Sequence, residues 1–269
     1  MAVNPEPASA VRQAVVITGM GLITPIGIGL DATWASLMAG RSGVGPISRF
    51  DASSFKVRIA SEVPDFDPHD WMEAREARRL DRLVQFAVAG SAQALAQAKL
   101  VVADCDTERV GVVIGTGVGG FATIQAGFED LFQRGPNRVN PLTGAMMLPD
   151  MAAGYVAIVH GAQGPNFAVS SACATGSTAL GEAAGVIHRG DADVMIAGAV
   201  EAGITPFALA AFHRTGAMST RNEDPQRASR PFAADRSGFV LSEGGAVLIL
   251  EELEHAKRRG APILCELVG

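Results

Sequence analysis

Apolar and polar positions alternate in blocks along this chain. Residues 14–21, AVVITGMG, are an apolar run ending in glycine, which predicts a buried strand feeding a turn. GLDATWASLMAG follows with helical spacing, and Asp31 is placed to cap it. Residues 41–70 are rich in loop formers, and residues 78–100 predict one long, largely buried helix. RVGVVIGTGVGG (109–120) reads as a second strand and glycine turn, with helices in FATIQAGFEDLFQR and GAMMLPDMAAGYVAIVHG. NFAVSS is a short strand leading to Cys173, and a helix is expected over about 173–189. DVMIAGAVE (193–201) is a further strand, residues near 205–215 are helical, and a polar loop follows. FVLSEGGAVLILEELEHAKRRG predicts a strand, a turn, a strand and a short helix, and PILCELVG is strand-like. Helices alternating with apolar strands argue an α/β class. No repeat or linker interrupts the pattern, so residues 13–269 read as one domain after a loose leader, residues 1–12.

Composition narrows the picture. The chain is 48% hydrophobic and 19% charged, with 31 glycines and 6% aromatics. A glycine-rich, aromatic-poor chain implies backbone packed closely on backbone. A formal charge of −6 argues against nucleic acid and anionic membranes as partners. No apolar run approaches the roughly 18 residues of a membrane span. The three cysteines, Cys105, Cys173 and Cys265, are too few and too widely spaced for a disulfide framework or a metal knuckle. A cytoplasmic setting, no metal and no cofactor are therefore expected.

The candidate chemistry lies in VSSACATGSTALGEAAGVIHRG (169–190). Cys173 stands at the start of an almost uncharged helix, among Ser, Ala, Thr and Gly. The first N–H groups of a helix lack partners and carry partial positive charge. They stabilise a thiolate and donate to an oxyanion that develops when a thioester is attacked. Small neighbours leave room for a substrate arm, so Cys173 reads as a nucleophile at the foot of a narrow channel. The alternative is a small buried hydrophobe, the commoner state of a free cysteine. Cys105, between two aspartates, and Cys265, in the final strand, keep that alternative.

GPNFAVSSACATGSTAL resembles the nucleophile region of the β-ketoacyl-acyl-carrier-protein synthases of the thiolase superfamily, closest to type II. VVITGMGLITPIG, GVVIGTGVGG, GDADVMIAGAVEAGITPFALAAF and MSTRNEDPQRASRPFAADRSGFVLSEGGAVLILEELEHAKRRGA agree with it in order and spacing. The resemblance runs from about residue 13 onward. It implies a thiolase-like layered α/β fold with a mixed sheet, in the N-terminal half of a duplicated architecture. It also implies decarboxylative Claisen chemistry: a cysteine takes an acyl group from acyl-carrier protein, and malonyl-carrier protein then condenses with it. By motif, Cys173 is the acyl acceptor, with its own N–H an oxyanion donor. Phe212 falls at a gating aromatic and Val118 at a residue lining the acyl pocket; for both, ordinary core packing is the alternative.

Arg75, Arg78, Arg79 and Arg82 have the spacing of one helical face. The first three align with the family's carrier-docking residues, although a solvated face with Glu73, Glu76 and Asp81 gives the same pattern. A homodimer is also implied. The family's two histidine motifs, resembling GTxAH and GHxxGAAG, do not occur in these 269 residues. His69, His160, His188, His213 and His255 do not replace them by motif, and His188 lies about 22 Å along its helix from Cys173. Acyl acceptance is therefore expected of this chain, whereas decarboxylation is not. A non-catalytic truncated partner or remnant that binds carrier protein or dimerises is the second reading. A cysteine hydrolase is third, because no His/Asn or His/Asp signature accompanies Cys173.

Overall fold

The computed structural model describes residues 13–269; the leader expected at 1–12 lies outside the described residues. The chain builds a seven-stranded mixed sheet. Its first strand, β1 (Val15–Thr24), turns back into β2 (Gly27–Ile28), and α1 (Leu30–Met38) follows. A two-stranded ribbon, β3 (Gly45–Pro46) with β4 (Ile59–Ala60), lies in the loop-rich stretch. Then come α2 (Ala74–Ala77), α3 (Arg82–Ala98), β5 (Val110–Gly115), α4 (Phe121–Arg134), α5 (Thr143–Met146) and α6 (Met151–His160). The second half runs β6 (Asn166–Phe167), α7 (Thr175–His188), β7 (Val194–Glu201), α8 (Pro206–Arg214), β8 (Gly244–Glu252), α9 (Leu253–Arg258) and β9 (Cys265–Glu266).

The sheet order is β2-β1-β8-β7-β5-β6, with β9 beside β1. The β5–β6 and β5–β7 pairs are parallel, and the rest are antiparallel. Helices α3 and α6 cover one face, around Phe86, Ile114, Val156 and Ile196. Helix α7 covers the other, around Ala183, Ile187, Met195 and Leu250. Burial on both faces explains why β5 and β7 are continuous apolar runs rather than alternating ones. A third cluster, Val57, Ile59, Leu209, Met218 and Ala228, seats α8 on the loops beside the sheet.

Glycine does what its abundance implied at the contact of β1 with α3. A Cβ on Gly21 would lie 1.9 Å from the Gly90 carbonyl oxygen, and one on Gly19 would lie 2.1 Å from that of Ala94. Backbone touches backbone there, so neither neighbour can yield by rotating a side chain. Gly21→Ala is expected to lower unfolding free energy by about 3 kcal/mol in chemical denaturation. An unchanged denaturation midpoint would contradict the close contact.

Four local expectations are corrected. The helix expected over 78–100 starts at Arg82, because Asp81 accepts the Leu83 N–H and caps it; residues 74–77 form a separate short turn of helix. Asp31 is not the cap of α1. Gly29 holds that position with φ +91, and Asp31 lies within the first turn. FVLSEGGAVLILEE contains one strand, not two: Phe239 and Ser242 make only isolated bridges, and β8 starts at Gly244. Helix α7 begins at Thr175, two residues after Cys173. Its sheet-facing residues are buried, while Ser177, Gly181 and Glu182 are exposed, so it is not apolar all round.

Candidate active site

The turn carrying Cys173 is shaped by its neighbours. Ala172–Ala174 form a single 3-10 turn that runs straight into α7. Ala172 has φ +51, a left-handed conformation that costs an L-residue roughly 1 kcal/mol. Thr175 holds it in place: its Oγ1 accepts the Ser171 N–H at 2.9 Å and donates to the Ala172 carbonyl at 2.7 Å. The Ala174 N–H donates to the Ser171 carbonyl at 3.1 Å. Between these bonded groups, the Cys173 N–H has no partner among the described residues. No side chain caps α7 either. Free donors at a helix start are what an oxyanion requires.

Cys173 is exposed and lines a cleft of about 400 Å³. Its wall is mostly apolar or backbone, and it includes both Val118 and Phe212. Val118, in the turn after β5, is 40% exposed, and Phe212, on α8, is 39% exposed. Neither is filling the core. Phe212 stands edge-on to Phe239, with ring centroids 6.0 Å apart.

Glu201, at the end of β7, is a cleft residue that no sequence pattern singles out. Its Oε2 accepts the Gly117 N–H at 2.8 Å and the Thr116 hydroxyl at 3.1 Å. Burial pushes the Glu201 carboxyl above the ordinary carboxylate range, against the pull of those two hydrogen bonds and of the neighbouring Ala202 N–H. Its partners are more than 80 residues away in sequence, so no local motif could have marked it. Among the described residues, no histidine lines the cleft.

The sequence model described as "Beta-ketoacyl synthase, N-terminal domain" matches residues 12–256. The chain belongs to the β-ketoacyl synthase family. It is 48% identical over 262 residues to the 3-oxoacyl-[acyl-carrier-protein] synthase 2 of Synechocystis sp., covering 97% of this chain and 63% of that protein. Among solved structures, the ishigamide ketosynthase/chain length factor superposes with a TM-score of 0.88 at 33% identity, covering 96% of this chain and 63% of that one. A ketosynthase in complex with a type II polyketide-synthase acyl-carrier protein has a TM-score of 0.81 at 33% identity, with 96% and 62% covered. The chain thus spans a little under two thirds of the length of these relatives. Its fold is the layered, mixed-sheet fold of these ketosynthases, as the resemblance implied.

The remaining site expectations for this ketoacyl synthase chain divide. Arg75, Arg78 and Arg79 are exposed, and none is in an ion pair among the described residues. Arg82 leaves their face. Its guanidinium turns inward to Glu243, with Nη2 at 2.9 Å and Nε at 3.1 Å, and packs 4.6 Å from the Phe86 ring centroid. Glu243 is 3% exposed and needs that charge, which outweighs a surface role for Arg82.

The histidines hold other places. His160 meets Ser91 at 2.9 Å, His188 donates from Nδ1 to the Gln13 carbonyl at 2.6 Å, and His255 donates to Glu251 at 2.9 Å. His69 meets Asp67, and His213 lies on α8 beside Phe212. Among the described residues, no group of three His, Cys, Asp or Glu is placed to hold a metal, and no helix is long and apolar enough to cross a membrane.

Proposed function

We propose that this chain accepts an acyl group on Cys173 from an acyl-carrier protein, the opening half-reaction of a 3-oxoacyl-acyl-carrier-protein synthase of fatty-acid biosynthesis. The Cys173 sulfur attacks the thioester carbon. The oxyanion that forms takes the free Cys173 N–H as a donor, and collapse expels the carrier's thiolate, which leaves with the proton Cys173 gave up. Val118 and Phe212 line the path of the acyl chain. Condensation with malonyl-carrier protein is the activity proposed for the family's full-length architecture.

One observation carries this reading: an exposed cysteine with an unpartnered N–H, at a helix start, on a mostly apolar cleft. The test is intact-protein mass after incubation with an acyl-carrier protein. A single added acyl group is expected. No added mass on folded protein would sink the reading. A second reading, a non-catalytic partner that binds carrier protein or dimerises, draws on the absence of histidine from the cleft. Carrier binding without acylation would favour it.

The carrier is proposed to dock on Arg75, Arg78 and Arg79, a local positive patch on an acidic chain that supports attraction of an acidic partner. Arg78→Glu combined with Arg79→Glu should weaken carrier binding by about tenfold at low salt, with the difference shrinking as salt rises. Equal affinities at every salt concentration would remove the patch from the proposal. A second copy of the chain is proposed as a further partner, and large exposed side chains such as Phe132 and Ile158 are surface it could cover. Three unpaired cysteines support a cytoplasmic setting.

A further inference from the structure

We propose that Glu201 is a positioning residue that sets the shape of the acyl cleft by tying the turn after β5 to the end of β7. The turn runs from Thr116 to Gly120 and carries Val118 into the cleft. Within it, Gly117 is held at both its N–H and its carbonyl. Glu201 Oε2 accepts the Gly117 N–H at 2.8 Å, and Ser170 Oγ donates to the Gly117 carbonyl at 3.2 Å. Ser170 lies three residues before Cys173, so one residue, Gly117, joins the cysteine turn, the Val118 turn and β7. Thr116 closes the arrangement: its hydroxyl donates to Glu201 and accepts the Gly119 N–H at 3.2 Å.

The glycines make this geometry possible. Gly119 has φ +95, and a Cβ on Gly120 would lie 2.1 Å from the Met146 carbonyl oxygen. The turn is therefore pressed against the end of α5 and cannot spread on that side. Nothing but the Glu201 carboxylate holds the Gly117 N–H from the β7 side. The cost of this arrangement is visible, because Glu201 Oε1 is buried with no hydrogen-bond partner among the described residues. A buried carboxylate oxygen left unpaired destabilises the fold, so stability alone does not account for a glutamate here.

The consequence concerns which acyl lengths the cleft accepts, and it rests on the reading of Cys173 as the acyl acceptor. Its test does not depend on that reading. Alkyl methanethiosulfonates react with a thiolate by attack at sulfur, forming a mixed disulfide and releasing methanesulfinate. In a Cys105→Ala, Cys265→Ala background, only Cys173 reports. The rate with an octyl reagent is divided by the rate with a methyl reagent and normalised to the same ratio for free cysteine.

The intact cleft is expected to favour the octyl reagent. Glu201→Met keeps the side-chain volume and removes the acceptor, and should lower the normalised ratio by about tenfold. Glu201→Gln keeps a carbonyl oxygen for Gly117 and Thr116 and should stay within about twofold. A ratio unmoved in Glu201→Met overturns the proposal, as does an equal fall in Glu201→Gln or an intact cleft without length preference. Should Glu201→Met not fold, Ser170→Ala releases the same residue, Gly117, at its carbonyl. A smaller fall is expected there, and an unchanged ratio again overturns the proposal. If wild-type protein takes no acyl group from carrier protein while the ratios shift as stated, the proposed function fails and the positioning role stands.

Discussion

Cys173→Ala should abolish acyl-adduct formation, whereas Cys105→Ala and Cys265→Ala should form the adduct as wild type does. The three thiols differ in surroundings rather than in chemistry. Cys105 is half-buried, its Sγ lies 3.8 Å from the Val101 carbonyl, and burial pushes its thiol up from the ordinary cysteine value. Cys265 is exposed, but it sits in β9, paired with Ile17, and is not part of the Cys173 cleft. Only Cys173 combines exposure, a cleft and a free N–H at a helix start. Exposure alone would make Cys265 react equally well, so the comparison of these two variants separates accessibility from positioning. Mass spectrometry of each variant after incubation with acyl-carrier protein reads the result. An adduct that survives Cys173→Ala, or one that vanishes in Cys265→Ala, would refute the assignment.

The parts legible in the sequence are those written by local rules. The apolar runs of β5 and β7 needed only their own residues to be read. The run of small residues around Cys173 marked a turn, because Ala172, Thr175 and Ser171 interact within four positions of one another. The break before α3 was legible too. Asp81 directly before an apolar run is an ordinary cap signal, and it was submerged by the helical spacing of the arginines around it.

What was not legible depends on distant partners. Arg82 shares its spacing with Arg78 and Arg79, and only Glu243, 161 positions away, turns it inward. Glu201 looks like the polar end of a strand until the fold brings Gly117 to it across 84 positions.

Glu251→Gln should be the most destabilising of the polar substitutions, costing about 3–5 kcal/mol in chemical denaturation. Glu251 is fully buried at the base of β8 and is served by three side chains at once. Thr18 donates to it from an irregularity in β1, where the register with β8 shifts between Ile17 and Gly19. A bulge of this kind re-aims a side chain, and here it brings the threonine hydroxyl to the carboxylate. His255 donates from α9, and Arg259 binds both oxygens. The same guanidinium reaches the Ala98 and Lys99 carbonyls at 3.0 and 3.1 Å, tying the end of α3 to β8. Loss of the carboxylate leaves the half-buried Arg259 charge without its partner. Glu251→Met with Arg259→Met removes both charges together and should recover much of the loss.

The same group shapes the acid limb of stability. Burial alone would raise the Glu251 carboxyl, but Arg259, His255 and Thr18 outweigh it and hold the carboxyl at about 2, against an ordinary value of 4.5. In the unfolded chain the carboxylate takes up a proton near its ordinary value, whereas in the folded chain it stays ionised until far lower pH. The unfolded state therefore binds the extra proton, and stability falls as pH drops. The contribution, about 3 kcal/mol, is complete above the unfolded value and is lost as pH falls from 4.5 toward 2. Wild type should accordingly lose stability steeply over that window, and Glu251→Gln should show a flatter limb there from its lower starting point. Parallel limbs for the two proteins would mean that other carboxylates, not this buried one, carry the acid sensitivity.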